Sequence, residues 1–136
     1  MTELDVQMMV ADYLRLRYPN VLFHSDYGSG IKLTMGQAIK QKRLNGGRRS
    51  WPDMFIAEPC LDSYHMGLFI ELKRPDVKIY KKNGELVANE HIREQAALLD
   101  ELRQRGYMAE FACGFDEAKK IIDKYLGGRA VEEVEF

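Results

Sequence analysis

Gly67-Leu68-Phe69-Ile70-Glu71-Leu72-Lys73-Arg74-Pro75 is the stretch on which the fold turns. Its first half is apolar and β-prone, and Pro75 closes it. Side chains on a strand alternate faces, so Glu71 and Lys73 point one way while Leu68, Ile70 and Leu72 point the other. A carboxylate and an ammonium therefore share a face of what otherwise reads as core. Burying charge is costly unless it is paired or binds an ion. Upstream, Trp51-Pro52-Asp53 leads into a second apolar run, Met54-Phe55-Ile56-Ala57. A second carboxylate on a neighbouring strand makes a metal site a natural resolution.

Working outward, the chain alternates helical and extended patterns. Residues 2–17 carry Val6, Met9, Val10, Tyr13 and Leu14 at helical spacing, with Thr2 as N-cap and Pro19-Asn20 beyond the end. Glu3 falls in line with Val6, Val10 and Leu14 and so projects from the buried face. The alternative is a solvated first-turn acid that favours the helix dipole. Residues 21–24 read as a short strand, 26–30 as a loop, and 34–44 as a short helix ended by Asn45-Gly46-Gly47. Strands at 53–57 and 67–73 flank a polar connection at 58–65. Asn83-Gly84, between Lys78-Ile79-Tyr80 and Glu85-Leu86-Val87, predicts a hairpin that projects from the domain. Asn89 caps a helix over 90–105 with Gly106 at C′, residues 107–113 form a third strand of the sheet, and Asp116 caps a last helix. That helix turns Ala118, Ile121, Ile122 and Tyr125 to one face, and Gly127-Gly128 ends it.

Gln95 lies in the middle of the apolar face made by Ile92, Leu98, Leu99 and Leu102. A buried amide needs hydrogen-bond partners, so Gln95 is either a satisfied core residue or a member of a site. His91 reads as turned away from it, toward solvent or a ligand.

The length fits one domain, residues 1–126, followed by a short acidic tail, 127–136, expected to be mobile. No apolar run approaches the ~18 residues that would span a bilayer, and no secretory pattern opens the chain, so a cytoplasmic location is expected. Cys60 and Cys113 lack zinc-site spacing and read as free thiols. Net charge is −1, but the charges are segregated. Residues 31–50 hold no acid and six bases, Lys32, Lys40, Lys42, Arg43, Arg48 and Arg49. That suits a face offered to a polyanion, the alternative being an ordinary solvated surface.

Taken together, Glu3, Pro52-Asp53, Glu71-Leu72-Lys73 and Gln95 resemble the PD-(D/E)XK nuclease superfamily, and more narrowly the virus-type replication-repair nuclease (VRR-NUC) family. The match comprises the early helical glutamate, the basic stretch before Pro52-Asp53, the segment from Gly67 to Pro75, and the glutamine helix ending Leu102-Arg103-Gln104-Arg105-Gly106-Tyr107. It runs to about Leu126. Trp51 departs from the small or polar residue usual before Pro-Asp, and the hairpin lengthens the gap between Lys73 and Gln95.

The resemblance implies an α/β restriction-endonuclease-like core, a central mixed sheet flanked by helices, with an added hairpin near 78–87. It implies a Mg²⁺- or Mn²⁺-dependent endodeoxyribonuclease. Asp53 and Glu71 would be the metal ligands, with the Leu72 main-chain carbonyl and Glu3, directly or through water. Lys73 would orient water or neutralise developing charge, and Gln95 would position Lys73 or the water. Lys32, Lys40, Lys42, Arg43, Arg48 and Arg49, extended by Lys78, Lys81 and Lys82 on the hairpin, would contact phosphates without reading sequence. Single-domain members resemble homodimeric Holliday-junction resolvases, so branched DNA and a second copy are the expected partners, with a phage or prophage origin. A nicking or flap endonuclease and a non-catalytic DNA-binding module remain alternatives. An RNA-directed nuclease is weaker, because no aromatic stacking platform is visible in the sequence.

Overall fold

The two apolar runs pair. β2 (Met54–Ile56) and β3 (Leu68–Lys73) lie antiparallel, with Met54 opposite Ile70 and Ile56 opposite Leu68. β1 (Phe23–Ser25) adds antiparallel to β2, and β4 (Met108–Cys113) adds parallel to β3, giving one mixed sheet in the order β1-β2-β3-β4. The computed structural model describes residues 1–27 and 32–131. Four α-helices accompany the sheet among these residues: α1 (Glu3–Arg17), α2 (Met35–Leu44), α3 (Glu90–Gln104) and α4 (Phe115–Leu126). The parallel β3–β4 pair requires a crossover, and α3 supplies it. The expected α/β class, a mixed sheet flanked by helices, is what forms.

The alternation on β3 sorts the layers. Leu68, Ile70 and Leu72 join Met54 and Ile56 on one face, against Val6, Val10 and Leu14 of α1 and Ala118, Ile122 and Tyr125 of α4. On the other face Leu98, Leu99 and Leu102 of α3 pack over Ala109, with Phe69, Tyr107 and Phe111 alongside. Glu71 and Lys73 belong to this second face and lie beyond its apolar patch.

Several boundaries differ from expectation for identifiable reasons. Residues 21 and 22 stay outside β1, whose register with β2 starts at Phe23 opposite Ile56. Met9 is exposed, so the buried stripe of α1 is Val6, Gln7, Val10 and Leu14. Asp116 does not cap α4. The N-cap is Gly114 at φ +90°, and Asp116 sits in the first turn, where it favours the dipole. The cap moves upstream because the Gly114 N–H bonds the Lys73 carbonyl at 2.9 Å, which turns the chain directly off β4. The hairpin forms around Gly84 at φ +86°, but it closes through one bridge, Tyr80 with Leu86, and is anchored by buried Ile79. The tail is tied down as far as Val131, whose N–H reaches the Arg17 carbonyl at 2.8 Å while Arg17 reaches back at 3.0 Å. Glu132, Glu133 and Glu135 lie outside the described residues.

Candidate active site

Glu3 opens α1 inside a capping box. The Thr2 hydroxyl accepts from the Asp5 N–H at 3.1 Å, and the Asp5 carboxylate accepts from the Thr2 N–H at 2.8 Å. The helix start is thereby fixed over the end of β3, and Glu3 Oε1 comes within 3.9 Å of Lys73 Nζ. Lys73 Nζ also lies 4.0 Å from Glu71 Oε1, so the amine stands between two carboxylates. Asp53 precedes β2 and reaches across to β3, where its Oδ2 accepts from the Leu72 N–H at 2.7 Å. Gln95 comes down from α3 and donates to Glu71 Oε1 at 2.9 Å. Asp53, Glu71 and Lys73 are each only 5% exposed, and Gln95 8%. The structure thus brings all five sequence-predicted polar residues to one place.

Two residues join that the sequence argument did not recruit. Gln7 donates to the Ser25 hydroxyl at 2.6 Å and to the Asp26 carbonyl at 2.7 Å. Asp26 and Ser25 in turn donate to the Asp53 carbonyl, at 2.9 and 3.3 Å. Gln7 therefore locks the backbone that carries Asp53. Its signal was a polar residue one turn after Glu3 on the buried stripe. His91, expected to face away, places Nε2 at 3.2 Å from Gln95 Nε2. The i,i+4 spacing of His91 and Gln95 was the available clue. Burial, with the positive charges of Lys73 and Arg49, holds the His91 pKa below its ordinary value. A neutral imidazole can accept the second amide hydrogen of Gln95, so the electrostatics and the hydrogen bond agree.

The carboxylates carry the main electrostatic cost. Desolvation raises Asp53 to about 6, with the Leu72 N–H opposing and Glu3 adding to the rise. Glu71 is raised well above the usual carboxylate range, first by burial and then by the charge of Asp53. Two buried acids, both raised first of all by desolvation, make a site short of positive charge. Hard oxygen donors of this kind fit Mg²⁺ or Mn²⁺. Leu72 offers a third oxygen. A strand residue projects its N–H and C=O from the same edge, and the Leu72 N–H meets Asp53. Leu72 lies past Ile70, the last β3 residue paired with β2, so this edge is not taken up by the neighbouring strand. Among the described residues, no three His, Cys, Asp or Glu side chains close on one point as a ready-made ion cage. Glu3 sits across the amine of Lys73, so the oxygens that could hold an ion together are those of Asp53, Glu71 and the Leu72 carbonyl.

The basic residues divide into two groups. Lys32, Lys40, Lys42 and Arg43 are exposed, the last three on α2, a helix with no buried residue. Arg48 and Arg49 instead pair with acids of α3, Arg48 with Glu101 and Arg49 with Glu94, the latter at 3.6 Å. A cavity of about 540 Å³ opens between α2 and α3, lined by Lys42, Arg48, Arg49 and Gln95 among others. Gln95 Oε1 is buried without a hydrogen-bond partner among the described residues. Lys78, Lys81 and Lys82 are exposed along the hairpin.

An aromatic platform, unseen in the sequence, does exist. Phe55 and Phe69 stack at 4.4 Å, Trp51 leans on Phe69 at 6.1 Å, and Tyr107 meets both phenyl rings edge-on. These residues are scattered along the chain, and only the strand register assembles them.

No protein-family model matches the sequence, and no curated protein does. Among solved structures, one described as a VRR_NUC domain protein is similar over 93% of this chain and 88% of its own, with a TM-score of 0.63 and 23% identity. The two chains share a fold over nearly their full lengths.

Proposed function

We propose that this chain is a metal-dependent, structure-selective DNA endonuclease of the VRR-NUC type, acting as a homodimeric Holliday-junction resolvase. One observation carries the proposal. Asp53 and Glu71, two buried carboxylates with raised pKa values, lie on adjacent segments with the amine of Lys73 and the amide of Gln95 around them. The shared fold with a VRR_NUC domain protein supports it.

Asp53, Glu71 and the Leu72 carbonyl would hold Mg²⁺ or Mn²⁺, which when bound supplies charge neutralisation and a more acidic water. The chain's own groups do the rest. Lys73 orients the attacking water or neutralises the negative charge that develops on the phosphate oxygens. Gln95 fixes Glu71 in one rotamer, and neutral His91 fixes Gln95. Gln7 keeps the Asp53 backbone in register. The exposed bases of α2 take phosphates and carry no sequence information, so shape selects the substrate. Two copies related by a two-fold axis would match the near two-fold symmetry of a four-way junction, with one site per opposed strand. The free thiols Cys60 and Cys113 suit a reducing cytoplasm.

The test is cleavage of a labelled immobile junction, a nicked duplex, a flap and a plain duplex with Mn²⁺, beside sedimentation of the free protein. Paired symmetric cuts by a dimer support resolution. Cuts confined to flap or nick make this a flap or nicking enzyme. Asp53→Ala and Glu71→Ala should lose at least about 10²-fold in rate while DNA binding persists. Equally low turnover in wild type and both variants, with binding intact, would make the chain a binding module.

A further inference from the structure

The aromatic platform beside Asp53 has no part in the hydrolysis described above. A cavity of about 500 Å³ opens over Trp51, Phe55 and Phe69, walled by His24, Leu44 and Asn45 and reaching Asp53. Its size falls within the range of ligand pockets, roughly 300–1,000 Å³. Trp51 Nε1–H donates to the Asn45 carbonyl at 3.1 Å, which pins the indole and satisfies its one polar atom. Trp51 is still 39% exposed, so with its N–H engaged what it can offer is an aromatic face.

Charge narrows the occupant. Among the described residues no lysine or arginine lines this cavity, whereas two carboxylates, Asp26 and Asp53, do. Apart from the ion that Asp53 would help to hold, this wall offers a phosphate no lysine or arginine partner. The neighbouring cavity between α2 and α3 has the opposite character, with Lys42, Arg48 and Arg49 on its wall. One cavity suits the sugar-phosphate backbone and the other a flat, uncharged, aromatic group. Asp53, on the wall of the aromatic cavity, places that group next to the phosphodiester to be cut.

Given phosphodiester hydrolysis at Asp53 and Glu71, on which this step depends, we infer that the cavity receives one unpaired nucleobase of the DNA beside the scissile phosphate, stacked on Trp51. Every base has a π-face, so such stacking tolerates any sequence. It selects structure instead, because a paired base must first leave its stack, while a base at a branch, nick or flap is already loosened. Trp51 is thus a specificity-determining residue.

Trp51 is the single tryptophan of the chain, so intrinsic fluorescence reports on this site directly. Wild-type protein in EDTA is titrated with a short single-stranded oligodeoxynucleotide and with an abasic oligomer of equal length, and binding is followed independently by anisotropy. The expected result is saturable quenching by the first and binding without quenching by the second. Trp51→Ala should weaken the base-containing oligomer about tenfold or more and leave the abasic one unchanged, with Trp51→Phe recovering most of the loss. Equal quenching or equal affinity for the two oligomers would overturn the inference, as would a silent Trp51 while anisotropy reports binding. If branched DNA is still cut in that case, only the base pocket falls. If no oligomer binds and no DNA is cut, the nuclease assignment falls and the pocket with it.

Discussion

Asp53 holds its proton more tightly in the folded chain than in the unfolded one. Burial lifts its pKa to about 6 from the ordinary 3.8. Between about pH 4 and 6 the native state therefore binds more protons than the unfolded state, and stability falls as pH rises through that window. Glu71, shifted further in the same direction, extends the decline upward. Asp53→Asn keeps an oxygen for the Leu72 N–H and removes the charge. In EDTA it should flatten this limb and gain on the order of 1–3 kcal/mol above pH 6, read from urea unfolding across pH. A variant that tracks the wild-type curve would show that the ionised Asp53 is not penalised. By the same linkage, Mn²⁺ should raise the wild-type Tm more at pH 8 than at pH 5, because at the lower pH protons compete for the oxygens. Gln95→Ala should lower cleavage roughly 10–100-fold by releasing Glu71, with His91→Ala losing less. Asp53, Glu71, Lys73 and Gln95 were legible as a group because each places a polar group in an apolar run, where burial demands a reason. Gln7 and His91 were not, since their partners, Ser25, Asp26 and a particular rotamer of Gln95, are set by tertiary contact alone.

At the scale of elements, three glycines separate packing from backbone strain. A Cβ at Gly67 would lie 2.7 Å from Phe55 Cε2 and 3.2 Å from the Ile56 carbonyl, so β2 and the stacked Phe55–Phe69 pair depend on its absence. At Gly114 a Cβ would press Pro75 at 3.1 Å and meet a φ of +90° as well. Gly84 has φ +86° and open space. Gly67→Ala should cost about 1–3 kcal/mol by overpacking. Gly84→Ala should cost only the left-handed backbone, about 1–2 kcal/mol. Gly114→Ala should incur both and also lower cleavage, because its N–H holds the Lys73 carbonyl. Thermal melts of the three variants give the order, and a Gly114→Ala protein as stable as Gly84→Ala would contradict it. The strands at β2 and β3 could be read from continuous apolar runs, since a strand buried on both faces leaves no alternative. The α4 cap could not, because Asp116 is the better N-cap by residue type and only the Gly114–Lys73 bond moves the start. Nor could the isolation of α2. Met35, Ile39 and Leu44 have the look of a core face, yet all three are exposed, because no strand or helix of the sheet layers covers them.

For the molecule as a whole, a net charge of −1 means that DNA is not attracted by the protein's overall field. Any affinity must come from where the charges sit. Lys40, Lys42 and Arg43 project from α2, whereas Arg48 and Arg49 are already engaged by Glu101 and Glu94. Among the described residues the first three hold no ion pair that a phosphate would have to break, but it must compete with a carboxylate for the other two. These roles differ in salt dependence. Each phosphate neutralised on duplex DNA contributes about 0.9 to the slope of log affinity against log salt. Replacing Lys40, Lys42 and Arg43 together by alanine should therefore reduce the slope by about 2–3, and lower affinity alike for all sequences. Arg48→Ala with Arg49→Ala should change it less and also loosen the approach of the Arg48–Ser50 segment to α3. Anisotropy titrations of a junction in EDTA over a range of salt would measure both. A slope unchanged by the α2 substitutions would take that helix out of the DNA path and shift the burden to Lys78, Lys81 and Lys82 of the hairpin.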